Sequence, residues 1–118
     1  MARGIANWGF DLSKQLEREN YFGTETILLV DDDDMVLTFL KAGLKMLGYQ
    51  VLAFNDAPSA ITAFEQSPDS IDLLFTDIDM PFIDGFDLAR VLRAQKPELP
   101  IVMCSGKYLQ IDSEELFR

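Results

Sequence analysis

The sequence predicts an α/β domain, a mostly parallel sheet wrapped by helices, and two observations carry that prediction. From residue 26 onwards, apolar runs of strand length alternate with segments whose apolar residues recur at helical spacing. Alternation of this kind builds βαβ units with right-handed crossovers. The first run, Ile27-Leu28-Leu29-Val30, is apolar at every position rather than at every second one, as a central strand covered on both faces requires. The chain has 118 residues, 48% of them hydrophobic. That is enough to fill the core of one domain and too apolar for a disordered tail.

The elements follow in order. The strand at 27–30 stops at four consecutive aspartates, 31–34. A helix over 35–47 carries Val36, Phe39, Leu40, Gly43, Leu44 and Leu47 at three-four spacing, and Gly48 supplies its stop. The run at 51–54 is a second strand. Asn55 or Asp56 caps the next helix, with Pro58 in its first turn and Ala60, Ile61 and Phe64 as its buried face. Ser67-Pro68-Asp69 breaks that helix, and residues 71–76 form a third strand ending at Asp77. A helix over 86–94 buries Phe86, Ala89, Val91 and Leu92. Pro97 and Pro100 bracket a turn before a fourth strand at 101–104. Asp112 and Glu115 stand in capping-box relation and start a last helix. Residues 1–25 form an N-terminal extension in which Ile5, Trp8, Leu12 and Leu16 recur at helical spacing. They predict a short amphipathic helix weakened by Gly4 and Gly9.

Composition excludes several functions. Twenty Asp and Glu against ten Lys and Arg leave a net charge of −10. A body this acidic repels phosphate backbones and anionic lipid, so the expected partners are cations or basic surfaces rather than nucleic acid or membrane. No run reaches the ~18–20 apolar residues of a membrane span, and the first residues do not read as a secretory signal. The single cysteine, Cys104, forms no internal disulfide, which suits a reducing cytoplasm. With no histidine, Ser-His and Cys-His triads and His-ligated zinc are excluded.

In an open α/β sheet the ligand site lies beyond the carboxyl ends of the strands. Asp31, Asp77 and Ser105 each fall at the end of a predicted strand, so three polar groups from distant positions reach one rim. Asp32 and Asp79 add carboxylates to it. Acids so close raise one another's pKa unless a cation neutralises them. Mg²⁺ suits such a site because it takes oxygen ligands and sits beside phosphoryl groups. With its charge screened, one carboxylate can act as a nucleophile on phosphorus, while a hydroxyl and backbone amides hold the developing charge. Taken alone, the four aspartates also read as a solvated loop capping a helix.

At these residues the sequence resembles the receiver domain of two-component response regulators. The resemblance rests on Ile27-Leu28-Leu29-Val30-Asp31-Asp32-Asp33, on Asp77-Ile78-Asp79-Met80-Pro81-Phe82-Ile83-Asp84-Gly85, and on Leu99-Pro100-Ile101-Val102-Met103-Cys104-Ser105-Gly106. It covers residues 26–117 and implies a flavodoxin-like sheet of strand order 2-1-3-4. It further implies that Asp77 accepts a phosphoryl group from a histidine kinase or phosphotransfer protein. By the same resemblance, Asp31 and Asp32 hold Mg²⁺, Asp32 directly and Asp31 mainly through water. The backbone carbonyl of Asp79 is a third protein ligand, and Ser105 turns towards the acyl phosphate. The labelling is stoichiometric, with no separate turnover. Phe75-Thr76-Asp77-Ile78-Asp79 also looks like the start of a haloacid-dehalogenase-type phosphatase, but Pro81 stands where that family has Thr or Val. A phosphorylation-incompetent interaction module is the remaining alternative.

A complete receiver continues through a fifth strand, which ends in a lysine facing the phosphoryl group, and a fifth helix. Both are expected to be missing here, and Lys107 follows Ser105 too closely to be that lysine. An Asp79–Lys107 pair at the mouth of the site is conceivable, though two ordinary surface charges are the simpler reading. The fourth strand then becomes a bare sheet edge, and the first helix loses a neighbour. Either residues 5–16 fold back over the vacated surface, or the chain is a fragment that pairs with a second copy or a missing segment. Of the two, the sequence favours the fragment.

Overall fold

A computed structural model of the chain describes residues 23–105 and the backbone of 109–110. The predicted helices over 5–16 and after Asp112, and the predicted role of Lys107, lie outside the described residues. Strand β1, Thr26–Val30, leads into helix α1, Asp34–Met46, then β2, Gln50–Phe54, and α2, Ala57–Gln66. A 3-10 turn, Pro68–Ser70, precedes β3, Leu73–Asp77. Helix α3, Gly85–Gln95, and β4, Ile101–Cys104, follow, and a two-residue β5, Leu109–Gln110, comes last. The sheet order is β2-β1-β3-β4-β5, with the first four strands parallel. This is the predicted 2-1-3-4 order.

Aspartates open all three α-helices of the described residues. Asp33 accepts the amides of Met35 and Val36, Asp56 that of Ser59, and Asp84 that of Asp87. Each cap satisfies amide donors that the first turn leaves without intrahelical partners and contributes about 1 kcal/mol. Gly48, at φ +99°, ends the turn after α1 in the left-handed region that glycine enters without a Cβ clash.

The two faces of the sheet are filled differently. Strand alternation sends Leu28, Val30, Leu74, Ile101 and Met103 to one face. There they pack with Ala57, Ala60 and Phe64 of α2 and Leu88, Ala89 and Leu92 of α3 in a closed core. On the other face α1 packs over β2 and β1, burying Ile27 and Leu29. Leu73, Phe75 and Val102 remain half-buried there, and with Ile27, Leu44, Leu47 and Tyr49 they line an open apolar groove of about 370 Å³.

Some expectations need correction. Phe39, placed on the buried stripe of α1, is 76% exposed, and no residue of α1 is fully buried. The helix covers only the β1–β2 half of the sheet, so part of its stripe meets solvent. In α3, Leu88 rather than Val91 is buried and Phe86 is only half-buried, because Gly85, Leu88, Ala89 and Leu92 form the stripe at three-four spacing that faces the sheet and the other two positions lie off it. The edge of β4 is not bare. Met103 and Cys104 pair antiparallel with Gln110 and Leu109, a pairing too short to show period-2 patterning.

Candidate functional site

The four consecutive aspartates divide their work. Asp31, at the tip of β1, is 5% exposed. Its amide donates to the carbonyl of Phe54 at 3.2 Å, and its Oδ1 accepts the Asp33 amide at 2.9 Å, a local turn typical of Asp. Asp32 stays exposed on the rim. Asp33 caps α1, and Asp34 accepts the Asn55 side-chain amide at 3.2 Å. Two of the four therefore remain to act at the site with Asp77.

Asp77 is the last residue of β3 and lies in register with Cys104 of β4. The loop that follows is tied down close to it. Ile78 donates to the Cys104 carbonyl at 2.8 Å, and Gly85 donates to the Ile78 carbonyl at 2.9 Å. A Cβ at Gly85 would overlap the backbone of Asp77 and Ile78, so only glycine lets α3 start this near the strand tip.

Carboxylate oxygens of Asp31, Asp32 and Asp77 all lie within 4.8 Å of one another. They open into a cavity of about 260 Å³ also lined by Asp33, Val36, Cys104 and Ser105. The structure thus gathers Asp31, Asp32, Asp77 and Ser105 as the sequence predicts. Asp79 is exposed, and its amide approaches Asp77 Oδ1 at a long 3.4 Å. Sequence reading missed Cys104 and Val36 as lining residues. Cys104 shares a strand face with Val102, a signal available from alternation alone.

Burial and the mutual repulsion of the carboxylates set the electrostatics of this cavity. Burial, then the charge of Asp31, pushes Asp77 up to about 6, against the Asp79 amide. Burial likewise raises Asp31, opposed by the Asp33 amide and reinforced by Asp32 and Asp33. The Cys104 thiol is raised by burial and by Asp77 and Asp31. Three converging hard oxygen donors fit a small hard divalent ion such as Mg²⁺.

The sequence profile described as the response regulator receiver domain matches residues 27–117. The chain belongs to that family. It is 34% identical over 86 residues to PhoP of Bacillus subtilis, the alkaline phosphatase synthesis transcriptional regulatory protein, covering 73% of this chain and 35% of the relative. CpxR of Escherichia coli is 37% identical over the same shares of each chain. The chain spans about a third of the length of these curated relatives. TrrA of Thermotoga maritima, solved in complex with Mg(2+)-BeF, superposes with a TM-score of 0.65 at 29% identity over 70% of each chain. Another structure shows TrrA in complex with the histidine kinase ThkA. The receiver family places the chain in two-component phosphorelay signalling, and the phosphatase reading falls away.

Proposed function

We propose that this receiver accepts a phosphoryl group on Asp77 from the phosphohistidine of a histidine kinase or phosphotransfer protein. The observation that carries the reading is the convergence of Asp31, Asp32 and Asp77 at a strand-tip cavity that Ser105 also lines. An ionised Asp77 oxygen attacks phosphorus as the P–N bond to the donor imidazole breaks. The leaving nitrogen keeps the electron pair and is neutralised by a proton. Ser105 would donate its hydroxyl to a phosphoryl oxygen, and the Asp79 amide, which approaches Asp77 Oδ1, would help to hold negative charge there.

Asp31 and Asp32, with Asp77 and the Asp79 carbonyl, would hold Mg²⁺. Bound there, the ion supplies positive charge to the carboxylates and the phosphoryl oxygens. Asp77 is consumed and regenerated stoichiometrically, so no separate turnover is expected. Three apolar side chains on α1 and on the loop after β3 are exposed: Met35 is 81% exposed, Phe39 is exposed, and Phe82 is 99% exposed. They suit docking of a donor protein, and the complex of TrrA with a histidine kinase supports that class of partner. No helix among the described residues is long and apolar enough to cross a membrane, which supports the proposal of cytoplasmic signalling.

One observation favours a second reading. Among the described residues no Lys or Arg lines the cavity, so the shell of a receiver site serving only protein interaction is the competing proposal. Incubation with acetyl phosphate and Mg²⁺, followed by intact-mass measurement, separates the two. The phosphoacceptor reading predicts one added phosphoryl group, lost in Asp77→Asn and without Mg²⁺. An unchanged mass supports the interaction module.

A further inference from the structure

The groove on the α1 face ends at Leu47 and Tyr49, and there the described chain begins. The Gly23 amide donates to the Leu47 carbonyl at 3.1 Å, and Gly23 packs so tightly on the Tyr49 ring that a Cβ would overlap it. Whatever precedes Gly23 is therefore tethered at the mouth of an apolar groove floored by Leu73, Phe75 and Val102.

The preceding sequence matches that seat in length, pattern and charge. As a helix, residues 5–16 would span about 18 Å, against about 17 Å for the five-residue strand β3. Residues 17–22 reach up to about 20 Å when extended, enough to turn back from Gly23. Ile5, Trp8, Leu12 and Leu16 form one apolar stripe. Arg3, Lys14 and Arg18 balance Asp11, Glu17 and Glu19, so the segment is neutral while the rest of the chain holds the net charge of −10. A second copy would bring another such charge to the face, and like charges disfavour it.

The geometry points to residues 5–16 of this chain as the occupant, docked as a helix with Trp8 in the groove between α1 and strands β3 and β4. The docked segment would clamp the two strands whose tips carry Asp77 and Ser105, on the sheet face that Asp77 itself shares. This inference stands apart from the phosphoacceptor reading and is tested without metal or phosphoryl donor.

Trp8 is the only tryptophan, so the full chain carries its own probe. In NMR spectra the Trp8 indole is expected to show NOEs to Val102, Leu44 and Tyr49. Its emission should lie blue of the denatured chain, with acrylamide quenching several-fold weaker. Val102→Lys should return the emission to the denatured position while far-UV circular dichroism is kept. If that variant unfolds, the NOEs of the unsubstituted chain decide alone. Trp8 as accessible in the native chain as in denaturant would overturn the inference. So would groove contacts from Leu116 or Phe117, or protection lost on dilution of a sedimenting dimer.

Discussion

The two faces of the sheet divide the labour of this domain. The face under α2 and α3 is closed, its apolar side chains fully buried from Leu28 to Met103. Among the described residues, the face under α1 is closed only over β1 and β2 and lies open along Leu73, Phe75 and Val102. The proposed phosphoacceptor sits on the open face, because Asp77 follows Leu73 and Phe75 at two-residue intervals along β3. Stability is concentrated on one side and chemistry on the other. A strand can carry both because alternate residues answer to different neighbours.

Substitutions that strike one face at a time would break this comparison most visibly. Phe64→Ala, in the closed core, is expected to cost about 3–5 kcal/mol. Phe75→Ala, on the open face, should cost about 1–2 kcal/mol. Chemical denaturation measures both, and equal losses would mean that the segment inferred to dock over Phe75 packs that face as tightly as the closed one.

The next effect is set by pH. Asp77 titrates at about 6 in the folded chain and near 3.9 when unfolded. Between those values the folded state binds the extra proton, so the Asp77 contribution to stability is full below about pH 4 and lost as pH rises through about 6. Metal-free Asp77→Asn should therefore melt higher than the parent above pH 7 and match it near pH 4. A difference independent of pH would mean that Asp77 is not held protonated by its surroundings.

A smaller effect sharpens the division among the aspartates. Asp33→Ala removes the cap of α1 and should cost about 1 kcal/mol, with a cavity still able to bind Mg²⁺. The smallest concerns Phe82, which adopts φ +68° in a tight turn closed by the Ile83 amide on the Pro81 carbonyl at 2.8 Å. A bulky side chain there is strained, so Phe82→Gly should stabilise by up to about 1 kcal/mol. It should also slow phosphotransfer from a protein donor while leaving labelling by acetyl phosphate unchanged.

Much of this was legible in the sequence, for identifiable reasons. The unbroken apolar run at 27–30 declared a central strand, and aspartates at strand ends declared the rim. Asp56 could be read as a candidate cap of the second helix, since a cap is a local event, whereas Asp84 as the cap of the third was not read. What resisted reading was set by distant neighbours. Phe39 belongs to a good helical stripe, yet the helix reaches only half of the sheet, so periodicity misjudged its burial. Among the acidic run 31–34, composition alone did not separate the residues at the cavity from the cap at Asp33. That choice depends on where the strand stops. The pairing of Leu109–Gln110 with β4 is too short for any pattern.

Titration of Mg²⁺ into the metal-free chain by calorimetry tests most directly whether the strand-tip carboxylates form a cation site. The account predicts one ion per chain, with binding lost in Asp32→Asn and retained in the adjacent Asp33→Asn. Absence of binding by the folded chain, or equal weakening by the two neighbouring substitutions, would contradict it.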